Sequence, residues 1–308
     1  VDVTSAGASA MTVTTSRGDV RLQLTVPEDA GAALVWYTGS RGHVEDLRVR
    51  ARDRQLVLDD GRLTTPDGTC VPCSNEDALY GHLDLPVIPP ELRDAGDIIG
   101  VAERRGLPRL LTLQDIKGDL HMHSTWSDGR DTIEGMVIAA QQLGYQYVAI
   151  TDHSERAWSS RKLAGADVPR QREEIERLRT RYPNIQLLHG IEVDIMPDGS
   201  LDFSDDLLEG FDLVLASLHD HCGHDGGTLT ERYLRAIHHP LVNVITHPAN
   251  RTPAIFDGYP LDYDRLFLAA ADTGTAMEID GAPAHLDMDG TLARRAVAGG
   301  VTVIVSSD

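Results

Sequence analysis

The chain has 308 residues, 41% of them hydrophobic, and a formal net charge of −20 from 28 Lys and Arg against 48 Asp and Glu. That length exceeds one ordinary domain and leaves room for a barrel of about 190 residues beside a smaller N-terminal unit. The sign of the charge argues against a protein that coats nucleic acid by bulk electrostatics, since phosphate contacts need Lys and Arg.

No run of about 18 apolar residues appears and no charged-then-apolar leader opens the chain, so a cytoplasmic location without a membrane partner is expected. Cys70, Cys73 and Cys222 are too few and too uneven for a disulfide framework, in keeping with a reducing compartment. The chain opens on Val1 and stops after VTVIVSSD, so a fragment of a longer protein is expected. Residues 1–118 carry 13 Lys or Arg against 18 Asp or Glu, and residues 119–308 carry 15 against 30. A carboxylate-rich site belongs in the second part.

In chain order, MTVTTSRG and VRLQLTV read as two alternating strands joined at Ser16-Arg17-Gly18. Pro27-Glu28-Asp29 starts a helix that Gly39 ends. A second helix, about 43–54, is rich in arginine; the five arginines from Arg41 to Arg54 read either as a patch that follows a phosphate backbone or as a solvated helix face. LTTPDGTC reads as a hairpin, EDALYGHLDL as a short helix, and the cluster Pro86-Val87-Ile88-Pro89-Pro90 as a domain boundary followed by a linker. Cys70-Val71-Pro72-Cys73 has C-x-x-C spacing. It follows a Pro-Asp-Gly turn and has no second cysteine pair, so a structural role is expected over a redox dithiol or half zinc site.

From Asp119 strand and helix alternate. The strands are DLHMHS, YVAITDHS, IQLLHGIEVDI, DLVLASLHD, VNVITHP, TAMEIDG and VTVIVSSD, with a short DGSLDF hairpin after the third. Their continuous apolar runs fit strands covered on both sides, and seven of them in strand–helix alternation predict a parallel (β/α) barrel with seven rungs. Working groups in such barrels gather at the C-terminal strand ends. His121 and His123 lie on the first strand with Asp128 in its loop, His153 ends the second, Glu192 the third, His219 the fourth, His247 the fifth and Asp308 the seventh. Any one of these is unremarkable. Six strand ends out of seven with imidazole or carboxylate predict a metal centre, and mixed nitrogen and oxygen donors suit Zn, Mn or Fe better than Ca or Mg. Eight candidate ligands exceed the needs of one ion, so two or three divalent ions are expected, with Glu192 as a bridge.

Other residues are weaker candidates. Glu278 and Asp280 on the sixth strand are expected to support ligands. His221, His224 and Asp225 lie in the loop after the fourth strand, where substrate contact and solvent exposure both fit. His238 and His239 suit helix capping, and His189 a structural role. Trp126 either stacks a terminal base or plugs the site.

The motifs GDLHMHSTWSDG, AITDHS, GIEVDI, SLHDH, ITHP and SSD resemble the successive motifs of the polymerase and histidinol phosphatase (PHP) superfamily. DGSLDF after GIEVDI is similar to the version fused to bacterial family X DNA polymerases. Upstream, ALVWYTGS resembles the thumb motif of those polymerases and LDLPVIPPELRD the segment joining thumb to PHP domain. The resemblance covers about residue 27 to the end. It implies an α/β chain: the end of a polymerase palm and a thumb over 1–90, a linker over 91–118, and a PHP-type distorted (β/α)7 barrel over 119–308 that stops short of its last motif. It further implies that His121, His123, Glu192 and Asp308 bind one metal and act in catalysis. Glu192, His219 and His247 then hold a second ion, and Asp128 and His153 a third, which would also use a histidine two residues beyond Asp308.

The activity implied is Mn- or Zn-dependent hydrolysis of DNA phosphoesters, a 3′–5′ exonuclease with 3′-phosphatase or abasic-site endonuclease activity in base-excision repair. Its partners would be primer 3′ ends, gaps and nucleotides, with Mg serving any polymerase activity and Thr38, Gly39, Ser40 and Arg41 contacting DNA. The third polymerase aspartate should stand on the strand before Pro27, where an ungapped count from Thr38 places Arg21, with Asp19 two residues earlier on the same face. Either a bulge lets Asp19 substitute, or nucleotide transfer is impaired. The alternatives are a small-molecule phosphatase of the histidinol phosphate type and a non-catalytic DNA-binding scaffold. The thumb-like segment argues against the first and the intact ligand positions against the second.

Overall fold

The computed structural model describes residues 2–6, 10–16, 18–94, 96–157 and 159–308. The chain divides into two compact units, Val1–Leu110 and Leu111–Asp308.

The first unit opens with an antiparallel sheet in the order β1 (Asp2–Ala6), β2 (Ala10–Thr15), β3 (Gly18–Gln23). The last two are the strands expected from sequence alternation, and β1 is an addition. Arg17 of the predicted turn lies outside the described residues. The β2–β3 register runs from Ala10–Gln23 to Thr15–Gly18 without a shift, so no bulge moves Asp19 into the place of Arg21. Instead Asp19 accepts a hydrogen bond from the Thr14 hydroxyl at 2.6 Å.

A single 3-10 turn at Pro27–Asp29 leads into α1 (Ala30–Thr38), and α2 (Arg41–Asp53) follows at once. Ser40 caps α2 by accepting from the His43 amide at 3.2 Å, supplying a partner to one of the free N–H groups of the first turn. β4 (Val57–Asp59) and β5 (Arg62–Thr64) form a hairpin that the sequence reading did not foresee. Its turn residues Asp60 and Gly61 have φ of 43° and 75°, the geometry that favours an Asp-Gly pair. The expected LTTPDGTC hairpin is present as a bridge between Thr64 and Cys70. α3 (Glu76–His82) and α4 (Ile98–Glu103) complete the unit.

α1 packs on α3 so closely that a Cβ on Gly31 would stand 1.9 Å from the Asn75 carbonyl oxygen, which only glycine allows. The core gathers Val35, Leu47, Leu58, Leu63, Leu79, Leu83, Ile88, Ile98 and Ala102. Each fully buried aliphatic side chain contributes about 1.5–3 kcal/mol. Ile88 lies inside the Pro86–Pro90 cluster, and Ile98 and Ala102 lie beyond it. The prolines therefore run within the first unit, and the segment expected as a linker supplies part of its core.

The second unit alternates strand and helix: β6 (Gly118–Asp119), α5 (Ile133–Gln142), β7 (Tyr147–Ile150), α6 (Val168–Arg181), β8 (Gln186–Asp194), α7 (Asp205–Leu208), β9 (Leu213–Ser217), α8 (Gly226–Ile237), β10 (Val244–Ile245), α9 (Tyr263–Thr273), β11 (Ala276–Asp280), α10 (Gly290–Ala298) and β12 (Val303–Ser306). All seven strands are parallel and adjacent in chain order. Just past β12 the Ser307 hydroxyl donates to Asp119 at 2.5 Å, joining the last strand to the first through side chains. The result is the expected distorted (β/α)7 barrel, nearly closed.

All seven strands are shorter than the expected stretches, and two, β6 and β10, are reduced to two residues each. In DLHMHS the backbone ladder ends at Asp119, and beyond it amides bond to side chains: His121 N to Asp119 and Ser124 N to Asp152. β10 likewise ends two residues before His247.

Candidate metal centre

The barrel places all eight candidate ligands at its C-terminal mouth. His121 and His123 follow β6, and Asp128 lies in the loop beyond them. His153 pairs with Glu192 in a single parallel bridge after β7. His219 stands two residues past β9, His247 two past β10 and Asp308 two past β12. His247 and Asp308 adopt φ of 26° and 44°, the left-handed region that non-glycine residues occupy only under constraint. Their side chains are thus turned out of the strand direction. A Cβ on Gly129 would lie 2.0 Å from the His123 carbonyl oxygen, so the loop carrying Asp128 folds tightly back on His123.

Glu192 is the pivot. Its Oε2 faces His153 Nδ1 at 2.6 Å, His121 Nε2 at 3.5 Å and His123 Nε2 at 3.7 Å. Its Oε1 faces His247 Nε2 at 3.0 Å and His219 Nε2 at 3.5 Å. Asp308 Oδ1 lies 2.8 Å from His123 Nε2 and 3.5 Å from His121 Nε2, and Asp128 Oδ1 lies 3.7 Å from His153 Nε2. Side-chain exposure rises from 0% at His121 and Glu192 to 30% at Asp128, so the cluster has a dry floor and an open rim.

Donor atoms fall within 4.8 Å of one another in three sets: His121, His123 and Asp308; His123, Asp128 and His153; and His153, Glu192 and His219. The sets differ from the expected partition. His123 and His153 each belong to two of them, and His247 approaches the cluster through Glu192.

This arrangement fits divalent cations. His121 Nε2, His153 Nδ1 and Glu192 Oε2 are buried without a hydrogen bond, although His153 Nδ1 is only 2.6 Å from Glu192 Oε2. That distance is short enough for a bond but its angles are wrong for one, as when both atoms point at a shared centre. A buried polar atom left unpaired costs about 1–3 kcal/mol, so such a group persists where a ligand completes it. The field also favours positive charge. Burial by itself would lower His121, but Glu278, Glu192 and Asp308 hold it well above the ordinary imidazole range. Burial likewise opposes charge on His247, yet Glu192 raises it to about 9. Burial would raise Glu192, and His153, His121 and His219 outweigh it and keep the carboxyl well below its usual range.

Carboxylates behind the ligands fix their orientation. Glu278 accepts from His121 Nδ1 at 2.8 Å and from the His247 amide at 2.8 Å, the supporting role expected for it. Asp280 accepts from the Ala282 amide, and burial raises it to about 6. Two further supports escaped the sequence reading. Asp194 faces His219 Nδ1 at 3.1 Å. Asp152 accepts from the amides and hydroxyls of Ser124 and Ser127 and from Gln171, fixing the loop that leads to Asp128. The signal for Asp194 was present: it stands two residues after Glu192 on the same strand, hence on the same face.

The remaining candidates are mostly structural. The Trp126 indole donates to Glu174 at 2.8 Å under the Arg170 guanidinium and packs against the barrel's apolar clusters, so it is a plug. Asp225 caps α8, His238 bonds the Leu234 carbonyl, and His189 bonds Gln171 with its pKa lowered to about 4 by burial. His221 accepts from the Gly223 amide within its own exposed loop, and His224 is half-buried there. In the first unit Thr38 ends α1 and bonds the Leu34 carbonyl, Gly39 and Ser40 form the turn, and Arg41 starts α2, exposed and with no side-chain partner among the described residues. Arg48, Arg50, Arg52 and Arg54 pair with Glu45, Glu103, Glu45 and Asp84, so the arginine run is mainly a salt-bridged helix face. Burial pushes the Cys73 thiol up to about 11 and also raises Cys70, which weighs against a reactive thiolate in the C-x-x-C pair.

Residues 33–94 match the DNA polymerase beta thumb family and residues 119–251 match the PHP domain family. The chain is 36% identical to DNA polymerase/3′-5′ exonuclease PolX of Bacillus subtilis, over 94% of this chain and 50% of that protein. It is 30% identical to a probable phosphatase of Thermoanaerobacter sp. (strain X514), over 62% of this chain and 77% of that one. A solved histidinol phosphate phosphatase of Lactococcus lactis, complexed with zinc, L-histidinol and phosphate, superposes with a TM-score of 0.46 at 18% identity, over 62% of this chain and 85% of that one. The chain thus spans about half the length of the Bacillus polymerase. A thumb followed by a parallel barrel whose mouth gathers the PHP motifs places the chain in the PHP family, in the thumb-and-PHP arrangement of the family X DNA polymerases.

Proposed function

We propose that the second unit is a metal-dependent phosphoesterase that removes nucleotides from DNA 3′ ends in repair. The observation that carries this reading is the Glu192 carboxylate shared among five imidazoles. His121, His123, Glu192 and Asp308 would hold one divalent ion, Glu192, His219 and His247 a second, and Asp128 with His153 a third, with Mn or Zn suited to these donors. Ions bound there bring the ionisation of water close to neutral pH and offset charge developing on phosphate oxygens.

The protein supplies the rest. Glu278 holds the proton of His121 on Nδ1 and leaves Nε2 directed inward. Asp194 does the same for His219. The buried floor at His121 and Glu192 keeps bulk water from the inner face of the cluster, which strengthens its electrostatics. No Ser or Cys nucleophile is required by a reaction of this class. The thumb unit would hold DNA, with exposed Arg41 beside the Thr38-Gly39-Ser40 turn as its contact, while Arg21 in the unshifted β3 weighs against nucleotide transfer.

Hydrolysis of a small phosphomonoester is the second reading, favoured by the probable phosphatases whose length the chain largely covers. A 5′-labelled primer incubated with Mn²⁺, with chelator, and with the His123→Ala variant tests the choice. The expected result is a Mn-dependent ladder that the variant loses. An intact primer alongside phosphate release from histidinol phosphate would overturn the exonuclease reading.

A further inference from the structure

We propose that a basic cavity beside the metal centre holds the phosphate next to the one hydrolysed, so that the site selects polynucleotides over esters with a single phosphate; this rests on the phosphoesterase reading above. The cavity has a volume of about 190 Å³ and is lined by Arg156, Ala157, Lys162 and Asp220. It lies at the edge of the candidate ligand set. The amide of Leu163, next to Lys162, donates to the His153 carbonyl at 2.8 Å. Asp220 directly follows His219. The Arg156 amide donates to Asp202 at 3.0 Å, and the other oxygen of Asp202 accepts from the Asp194 amide at 3.2 Å. Two strand-end loops that carry ligands, those after β7 and β9, thus line this one hollow, and a third, after β8, braces the Arg156 backbone through Asp202.

Its charge is out of keeping with its surroundings. Residues 119–308 carry 15 Lys or Arg against 30 Asp or Glu, and most of these arginines are engaged: Arg170 with Asp167, Arg179 with Asp212, Arg181 with Glu134, Arg265 with Glu231. The side chains of Arg156 and Lys162 have no ion pair or hydrogen bond among the described residues, and both are exposed. Asp220 contributes the one opposing charge, and its carboxylate is occupied by the Cys222 amide at 2.7 Å. Two free cations against one engaged carboxylate leave the hollow positive beside an acidic centre.

Size narrows the ligand. Pockets that enclose drug-sized ligands start near about 300 Å³, and a water takes roughly 30 Å³, so the hollow is of a size to seat a hydrated phosphate and too small to enclose a whole nucleotide. A polynucleotide presents such a group at every residue of its chain. A monoester has only the phosphate that the metal centre itself would take. A guanidinium and an ammonium facing one hollow are the groups that recognise it.

The test is anisotropy of a fluorescent single-stranded oligonucleotide with the full chain in chelator, which allows binding without turnover. Arg156→Ala with Lys162→Ala is expected to raise Kd about tenfold or more, and to make the slope of log Kd against log salt shallower by about 0.7, the change for one phosphate no longer neutralised on a single strand. Arg156→Lys with Lys162→Arg should keep both values near those of the unaltered chain, which a purely structural role of either side chain would not require. With Mn²⁺, the alanine pair should change hydrolysis of bis(p-nitrophenyl) phosphate by less than about threefold, since that ester has one phosphate. Unaltered affinity and salt slope in the alanine pair would overturn the proposal, as would an equal loss on both substrates. If the unaltered chain leaves a 5′-labelled primer intact with Mn²⁺ while the alanine pair still weakens binding, the exonuclease reading fails and the phosphate subsite stands.

Discussion

Each unit buries histidine among charged groups, and the two do so to opposite effect. In the first, His43 bonds the Tyr80 hydroxyl at 2.8 Å while Arg93 forms a two-pronged pair with Glu76. Burial and the Arg93 guanidinium lower the His43 pKa to about 4, so the ring stays neutral beside the Arg93–Glu76 ion pair. In the second, carboxylates outnumber cations around His121 and His247, the inward nitrogens of His121 and His153 face Glu192 without a hydrogen bond while His247 bonds it at 3.0 Å, and the pKa values of His121 and His247 rise. The difference lies in the charge. The first unit holds its histidine neutral beside a guanidinium, whereas the barrel mouth sets carboxylates against imidazoles and leaves His121 Nε2, His153 Nδ1 and Glu192 Oε2 directed at one another, an arrangement that a divalent cation satisfies better than protons do.

The sharpest way to break this comparison is Glu192→Gln. If the two oxygens of this carboxylate serve separate ions, the amide should release bound metal and lower phosphodiester hydrolysis by about 10⁴-fold, the scale of losing an essential member of a catalytic unit. Metal content by mass spectrometry and rates on a labelled primer check it, and full metal occupancy in the variant would refute the bridging role. Next in size, Glu278→Gln and Asp194→Asn should each weaken metal affinity about 10–100-fold while leaving the fold intact. Competition with a calibrated chelator reads the affinity, and unchanged values would show that these carboxylates merely fill space.

The first unit's cluster predicts an acid sensitivity that does not depend on metal. His43 has a lowered pKa in the folded state, so its contribution is fully present above about pH 6.5 and is lost as pH falls from there through about 4. Hydrogen-exchange protection of α2 amides, corrected for intrinsic rates, should drop over that window, and less in His43→Gln. An identical pH profile in the variant would remove His43 from the account. The smallest effect expected is Ser40→Ala, a lost helix cap costing about 1 kcal/mol by urea unfolding. A much larger loss would mean that the Ser40 bond to the Arg93 carbonyl, at 3.0 Å, matters more than the cap.

Much of the barrel was legible because its signals are local. Strand and helix alternate with apolar runs of the right length, and the candidate ligands fall at the ends of those runs. What escaped depends on pairing between distant segments. β1 is identifiable only by its partner β2, and the β4–β5 hairpin rests on three-residue strands too short to show a period. The Pro86–Pro90 cluster has the composition of a boundary, but Ile88 between the prolines is buried, and burial depends on what packs there. Asp152 stands beside a candidate ligand in TDHS, yet nothing in the spacing shows that two serines of another loop converge on it. Glu278 was recognisable as a supporting group, while its simultaneous hold on His121 and His247 depends on strands that meet only after folding.

The seam between β6 and β12 bears on timing. His123 and Asp308 meet across 185 positions of sequence, so the candidate centre spans nearly the whole unit from its first strand to its last. During synthesis the early imidazoles wait roughly 10–40 s, at about 5–20 residues per second, before Asp308 exists. Until then Glu192 can recruit its neighbours but the set containing His121, His123 and Asp308 stays open. On the phosphoesterase reading proposed above, hydrolytic capacity would arrive only once Asp308 has joined His121 and His123, so that a shorter nascent chain would not attack nucleic acid around it. Ribosome-arrested chains ending before Val301 should show no phosphodiesterase activity, and activity in such chains would show that the seam is dispensable.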